Sequence, residues 1–272
     1  MMRALWTGAS GMGSQQLAVD TIANNIANVN TTGFKRERIE FQSLLYETMQ
    51  GAGQNPAIVG NRPANLQVGH GVRSVASTRN FTMGTVEPTG NNVDFAINGN
   101  GFFTIDRGNG NVGFTRDGSF NLSPIGGGQV ALVTNDGNFV LDTAGNQIVF
   151  ADNIDFQSLS ITQNGQFSVR GTGGETVDLG VQLGIAQFSN RQGLEAIGGN
   201  MFIETAASGE PELEAPGNGV PSQILQGHLE RSNVQIADEM VSLIVSQRAF
   251  ELNSRIIQTA DDMLQQANNI RR

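Results

Sequence analysis

The C-terminal segment, residues 228–272, reads HLERSNVQIADEMVSLIVSQRAFELNSRIIQTADDMLQQANNIRR and contains neither glycine nor proline. Apolar residues recur in it every seven positions, the spacing of a helix seam that packs against another helix. A second apolar series advances by threes and fours on the adjoining face. The segment therefore predicts a long helix with neighbours on two sides. The two series are Ile236, Leu243, Phe250, Ile257 and Leu264, and Ala249, Leu252, Ile256, Ala260, Met263, Ala267 and Ile270.

The N-terminal end carries a shorter segment of the same kind, since glycine is absent from residues 14–32. Its heptad spacing is interrupted at Gly8 and Gln15, and Gly33 is the predicted end of the helix. Both terminal helices are predicted to form a coiled coil on assembly, because a single pair would leave apolar surface exposed. The apolar series at this end is Leu5, Met12, Val19, Ile22, Ile26 and Val29.

The middle of the chain is typical of an all-β domain. All seven prolines lie between Pro56 and Pro221, and turn pairs such as Asp117-Gly118 and Asn164-Gly165 separate short apolar runs. The predicted fold class is therefore α+β, with two terminal assembly helices and a central β domain. The predicted segments are an N-terminal helix (1–33), an extended connector with an insertion (34–71), a β-rich domain (72–207), a Pro/Gly acidic loop (208–221) and a C-terminal helix (222–272).

Composition excludes several classes of function. The chain has no cysteine, which rules out thiolate catalysis and cysteine metal sites. A net charge of −9 disfavours nucleic acid as a partner, because phosphate binding needs a basic face. No apolar run reaches the length of a membrane span or a signal peptide, so we expect no membrane insertion and no cleaved leader.

Catalytic arrangements are also poorly supported. His70 and His228 are 158 positions apart, and neither lies in a recognisable triad pattern. The remaining enzymatic alternative is a secreted β-rich glycan-acting enzyme, which needs only two well-placed carboxylates. Its candidates are Asp94, Asp106, Asp117 and Asp136, yet aspartates that precede a turn glycine commonly bond the local backbone. The sequence therefore predicts no enzyme, with no catalytic residue, cofactor or metal site.

Four stretches resemble the bacterial flagellar rod and hook protein family. Residues 17–35, LAVDTIANNIANVNTTGFK, resemble its N-terminal signature over a long and specific match. Residues 93–103, VDFAINGNGFF, and 114–120, FTRDGSF, resemble two internal blocks. Residues 225–270 resemble the C-terminal block. Within the family, residues 65–84 look most like the distal rod branch.

The resemblance implies a tube of identical subunits, in which terminal helices form the inner layers around an export channel and β domains lie outside. It implies a helical homopolymer that meets proximal rod proteins, the hook protein and surrounding ring proteins. It also implies location in the periplasmic part of the basal body, after export through the type III apparatus without cleavage. Phe41 and Leu45, in FQSLL, resemble the export-recognition element of such subunits.

We therefore expect a structural subunit of the distal rod, which transmits torque from motor to hook by interlocked helices. The alternatives are a proximal rod subunit of the same family and the glycan-acting enzyme. A segment at Gln50–Asn65 is predicted to be the rod-type insertion, which wedges between neighbouring subunits and stiffens the shaft.

Overall fold

The computed structural model describes residues 2–50, 66–108, 110–151, 158–170, 176–214 and 222–270. The chain divides into two compact units. The first contains Met1–Ala27, Glu37–Thr78 and Gln235–Arg272, and the second contains Asn28–Arg36 and Arg79–Val234. The predicted combination of an N-terminal helix, a central, largely β region and a C-terminal helix is confirmed.

Two helices, α1 (Met2–Ala27) and α2 (Ile236–Ile270), pack on each other in the first unit. Both are shorter than the sequence analysis expects. α1 ends six residues before Gly33, so Val29 lies in a turn outside the helix. α2 begins fourteen residues after position 222, because residues 223–230 form strands instead.

The predicted extended connector forms an antiparallel ribbon in the first unit. Its strands are β1 (Glu37–Ser43), β2 (Tyr46–Gln50), β3 (Leu66–Gly69) and β4 (Val72–Arg79). β1 pairs with β4 and β2 pairs with β3, so the ribbon has two strands along its described length. Apart from Gln50, that insertion lies outside the described residues.

The second unit is a β domain of short strands, as turn chemistry at close intervals predicts. Its first eight strands are β5 (Val86–Pro88), β6 (Phe95–Asn98), β7 (Phe102–Asp106), β8 (Val112–Thr115), β9 (Phe120–Gly126), β10 (Gln129–Thr134), β11 (Phe139–Val140) and β12 (Val149–Ala151). The others are β13 (Leu159–Ile161), β14 (Gln166–Arg170), β15 (Thr176–Gln182), β16 (Ile185–Gln187), β17 (Glu195–Gly198), β18 (Met201–Ile203), β19 (Glu212–Glu214), β20 (Gln223–Gln226) and β21 (His228–Glu230).

Ten of these strands form one sheet, in which β7 is central and separates two aromatic cores. Neighbouring side chains of a strand point to opposite faces, so Phe102 and Phe103 enter different cores. Phe103 packs edge-to-face on Phe120 at 5.2 Å between ring centroids, and Phe102 packs on Phe188 at 5.8 Å. Aromatic burial on both faces makes β7 the structural centre of this unit.

The second unit is closed by segments far apart in the sequence. β5 pairs with β21 and β6 pairs with β20. The segment after α1 is held in the same unit, because Gly33 N donates to Glu230 O (2.8 Å) and Thr32 Oγ1 donates to Asp117 Oδ1 (2.9 Å). Gly33 has φ +67°, and a Cβ there would lie 2.5 Å from Asp117 N. Because of these contacts, the boundaries of the two compact units differ from the segment boundaries predicted from the sequence at residues 33, 72 and 207.

This closure predicts different behaviour for two fragments. Residues 28–234 should give a soluble fragment with a single cooperative thermal transition, because they contain every partner strand of the second unit. Residues 72–206 should lack this transition, since they omit β20, β21 and the segment around Gly33. Circular dichroism melts of both fragments test the point. Cooperative melting of residues 72–206 at the same temperature as the longer fragment would contradict it.

Candidate self-association surface and its supporting contacts

The fully buried residues of the two packed helices are small or polar. Gly8, Ser14 and Asn25 are the buried residues of α1, and Ser246 and Ala260 are buried on α2. The helices approach so closely that a Cβ on Gly8 would lie 3.0 Å from Ile257 Cγ1. Small residues permit such an approach, and most of the large apolar residues are left outside the contact.

A line of large apolar side chains remains exposed along α2. Each member of the line is between 46% and 62% exposed, and the members are Val241, Val245, Leu252, Ile256 and Met263. Val241, Leu252 and Met263 are eleven residues apart, as are Val245 and Ile256. An eleven-residue repeat has 3.67 residues per turn, close to the 3.6 of a straight helix. This line, the exposed α2 seam, therefore stays on one side of the helix over its length.

The self-association residues predicted on α2 come from two apolar series, and they divide between exposed and half-buried positions. A strict seven-residue series drifts about 20° per heptad around a straight helix, so it cannot stay on one face. Ile236, Phe250, Leu252, Ile256 and Met263 are exposed, whereas Leu243, Ile257 and Leu264 are half-buried. On α1, the half-buried residues are Leu5, Met12, Val19, Ile22 and Ile26. Val241 and Val245 belong to neither predicted series, although both are exposed. An eleven-residue period in the sequence indicates them.

Further exposed apolar residues belong to α1 and the ribbon. Trp6, the single tryptophan of the chain, is 74% exposed. The predicted export residues Phe41 and Leu45 are 41% and 87% exposed. A groove of about 430 Å³ also opens between the two helices, and Val19 and Phe250 contribute to its lining. The first unit therefore presents apolar surface on both helices and on the ribbon.

Asn25 joins three elements of the first unit. Its Nδ2 donates to Glu37 O (2.8 Å) and to Glu239 Oε2 (3.3 Å), while its Oδ1 accepts from Glu37 N (3.0 Å). The amide thus pairs with both backbone groups of Glu37, as a neighbouring strand would. Asn25 is 1% exposed, so these bonds are shielded from water. They hold the end of α1, the beginning of β1 and the first turn of α2 together.

Replacing Asn25 with aspartate is expected to destabilise the first unit by at least about 2 kcal/mol. The new carboxylate cannot donate, so Glu37 O loses its donor and two carboxylates face each other in a buried site. Urea unfolding followed by helical circular dichroism measures the loss. Asn30→Asp, at an exposed turn position, is the matched control and should change stability by less than about 0.5 kcal/mol. Equal effects of the two substitutions would contradict the role given to Asn25.

A second buried polar cluster lies inside the second unit. Glu230 is 1% exposed; its Oε1 lies 2.5 Å from Lys35 Nζ and its Oε2 lies 3.2 Å from Arg116 Nη1. Gly84 N also donates to Glu230 Oε1 (2.8 Å). Arg116 donates to Gly99 O (2.6 Å) and stacks over the Phe102 ring at 5.2 Å. One carboxylate therefore holds two cations from distant parts of the sequence.

The cluster is electrostatically costly to build. Burial lowers the pKa of Lys35 from its ordinary value of 10.5, and the attraction of Glu230 opposes that effect. Burial likewise lowers the pKa of Arg116. Buried ions are tolerated only when they are paired and hydrogen-bonded, so each member depends on the others. The three residues together connect three distant segments of the β domain.

Three protein-family models match parts of the chain. "Flagella basal body rod protein" matches residues 5–35, "Flagellar hook protein FlgE/F/G D1 domain" matches residues 96–169, and "Flagellar basal body rod FlgEFG protein C-terminal" matches residues 225–270. The flagellar basal-body rod protein FlgG of Borreliella burgdorferi is 46% identical, with full coverage of both chains. FlgG of Caulobacter vibrioides is 42% identical, over 99% of this chain and all of the relative. FlgG of Bacillus subtilis is 40% identical, with full coverage of both.

This chain belongs to the flagellar basal-body rod protein family. The buried cluster joins all three family-matched regions, because Lys35 ends the first, Arg116 lies in the second and Glu230 lies in the third. The family is structural and not enzymatic, which confirms the expectation from the sequence. Because FlgG relatives match this chain over its whole length, the alternative of a proximal rod subunit is not favoured.

Three of the four carboxylates considered for a glycan-acting enzyme, Asp94, Asp106 and Asp117, have local hydrogen-bond partners. Asp94 accepts from Thr89 Oγ1 (2.6 Å) and Asn91 Nδ2 (3.0 Å). Asp106 accepts from Gly108 N (2.8 Å), and Asp117 accepts from Ser119 N (3.0 Å). Within the described ranges, no group of three or more His, Asp or Glu side chains is arranged to hold a metal ion. Over the same ranges, neither helix is long and apolar enough to cross a membrane.

Proposed function

We propose that this chain is a structural subunit of the flagellar distal rod, which assembles through its two terminal helices into a shaft that transmits torque. The exposed α2 seam is the observation that carries the proposal, because an uncovered apolar line of this length is an association surface. Its eleven-residue repeat suits nearly straight helices that run along a stiff shaft. The apolar series predicted on α1 and α2 belong to the same proposed surface.

The magnitude of burial favours a polymer over a dimer. A half-exposed large apolar side chain contributes about 1 kcal/mol when it is covered, so five seam residues contribute about 5 kcal/mol. Association costs about 4–15 kcal/mol in lost translational and rotational freedom. One seam contact is therefore marginal by itself. Several contacts per subunit, with α1, α2 and the ribbon each meeting a neighbour, make assembly favourable and cooperative.

The location and partners follow from the same proposal. The subunit belongs in the basal body, within the periplasm, where it meets proximal rod proteins, the hook protein and the surrounding ring proteins. It reaches that place through the type III export apparatus without loss of a signal peptide. Phe41 and Leu45 are the proposed export-recognition residues, and their exposure supports access by another protein.

Electron microscopy of the purified, concentrated protein tests the proposal. We expect rod-like filaments above a critical concentration and monomers below it, with sedimentation velocity giving the transition. The 28–234 fragment is the control, because it lacks both helices and should remain monomeric at every concentration. A full-length chain that stays monomeric at high concentration, or a fragment that also polymerises, would overturn the assignment of assembly to the helices.

A further inference from the structure

A polar cleft of about 380 Å³ lies in the second unit, apart from the surface proposed for helix assembly. Arg79 and Arg191 contribute its charged lining, and no acidic residue lines it in the described part of the chain. Arg191 Nη1 donates to Asn100 Oδ1 (2.8 Å), and the Arg79 guanidinium lies 5.6 Å from the centre of the Phe202 ring. The cleft thus presents positive charge on a protein whose net charge is −9.

Buried charge behind the cleft strengthens that potential. Lys35 Nζ donates to Thr82 O (2.9 Å), and Thr82 is a lining residue. Arg116 Nη2 donates to Gly99 O (2.6 Å), and Gly99 precedes Asn100, which accepts from Arg191, so the buried Arg116 and the cleft residue Arg191 contact adjacent residues. Glu230 is the single carboxylate of this group, which leaves three cations against one anion. An excess of positive charge near a low-dielectric interior attracts an anion to the open side.

We propose that this cleft binds an acidic segment of a second copy of the chain. The proposal rests on the homopolymer described above and adds a contact between β domains to the contacts between helices. The bound groups are carboxylates, which accept charge-assisted hydrogen bonds from the free donors of Arg191. Ser189 and Gln192 lie beside Arg191 in the lining and supply further donors.

Residues 204–214, ETAASGEPELE, are the acidic segment that we propose as the occupant; in its own chain this segment lies beside the cleft, because the lining residue Asn190 donates through Nδ2 to Ala207 O (3.0 Å). Glu204, Glu210 and Glu212 are exposed, and none of them forms an ion pair within the described residues. β19, at the end of the segment, pairs with β16 alone among the described strands. The segment therefore combines unpaired negative charge with an accessible strand edge, and it complements the charge of the cleft.

Peptide binding tests the cleft separately from polymerisation. The probe is a fluorescein-labelled peptide ETAASGEPELE, titrated with full-length protein below its critical concentration and followed by anisotropy. We expect saturable binding that weakens with added salt. A peptide with all four glutamates replaced by glutamine should bind at least about tenfold more weakly, and so should the peptide with Arg191→Ala protein. Arg107→Ala, at an exposed arginine outside the cleft, is the matched control and should bind like the parent.

Three outcomes would overturn the inference: no binding, equal binding of the glutamine peptide, or equal binding to Arg191→Ala protein. Filaments without peptide binding would remove the cleft contact and leave the proposed function intact. Peptide binding without filaments would support the cleft contact and contradict the proposed function. Polymerisation supplies a second measurement. Arg191→Glu should impair polymerisation, because it reverses the charge of the cleft. Adding Glu212→Arg to the same chain should restore part of the polymerisation, because it reverses the charge of the acidic segment. Impairment without any restoration by Glu210→Arg or Glu212→Arg would exclude this segment as the occupant.

Discussion

Replacing Glu230 with glutamine is expected to destabilise the second unit by about 3–5 kcal/mol. The substitution keeps the shape of the side chain but removes the carboxylate that pairs with both Lys35 and Arg116. Two buried cations then face each other without an anion, and burial already lowers the pKa of both groups. Denaturant unfolding of the 28–234 fragment measures the change, because that fragment contains all three residues.

Glu87→Gln is the matched control for this substitution. Glu87 pairs with Arg231 at 2.7 Å, but both side chains are nearly half exposed. Exposed ion pairs contribute about 0–1 kcal/mol, so the control should lose less than about 1 kcal/mol. Similar losses in the two variants would show that the buried cluster does not hold the β domain together.

The same variant should show a distinct pH dependence. The pKa of Lys35 is lowered in the folded state, so between that value and 10.5 the unfolded chain binds more protons than the folded chain. The free energy of unfolding therefore rises with pH across this window. Without Glu230 to oppose it, burial lowers the pKa of Lys35 further and widens the window. The deficit of Glu230→Gln should shrink as the pH rises from 7 towards 10.5, and a deficit that grows would contradict this.

Replacing Ile256 with aspartate is expected to abolish assembly while the chain stays folded. Ile256 is 46% exposed in the single chain, so the charge remains hydrated there. In the proposed polymer the same position is covered, and an unpartnered charge then costs several kcal/mol for each contact. The concentration required for assembly should rise by about a hundredfold or more. Sedimentation and electron microscopy of the purified variant, and swimming assays of cells that express it, measure the effect.

Gln258→Asp provides the matched control on the same helix. Gln258 is exposed and lies outside the exposed α2 seam, so its substitution adds the same charge without entering the apolar line. We expect its assembly concentration to stay within about threefold of the parent. Normal filaments from Ile256→Asp, or equal loss from both variants, would show that the seam is not the interface.

Local pattern is sufficient to predict those features of the chain that depend on neighbouring residues. Absence of glycine and proline from residues 228–272 predicts a long helix there, and turn pairs such as Asp117-Gly118 predict the β domain. Both features depend on residues that are near each other in the chain. A seven-residue series and an eleven-residue series coexist in α2, so local spacing alone does not single out the exposed face of that helix.

Composition and local spacing are sufficient to predict the two terminal helices, the β-rich middle, the absence of thiol chemistry and the family resemblance. Three features depend instead on contacts between distant segments: α1 ends at Ala27, Lys35, Arg116 and Glu230 meet in one buried cluster, and a particular set of apolar residues on α2 stays exposed. Lys35 and Glu230 are separated by 195 positions. Pairing across such a distance is set by strand closure and the desolvation of charge, and neither leaves a periodic signal in the chain.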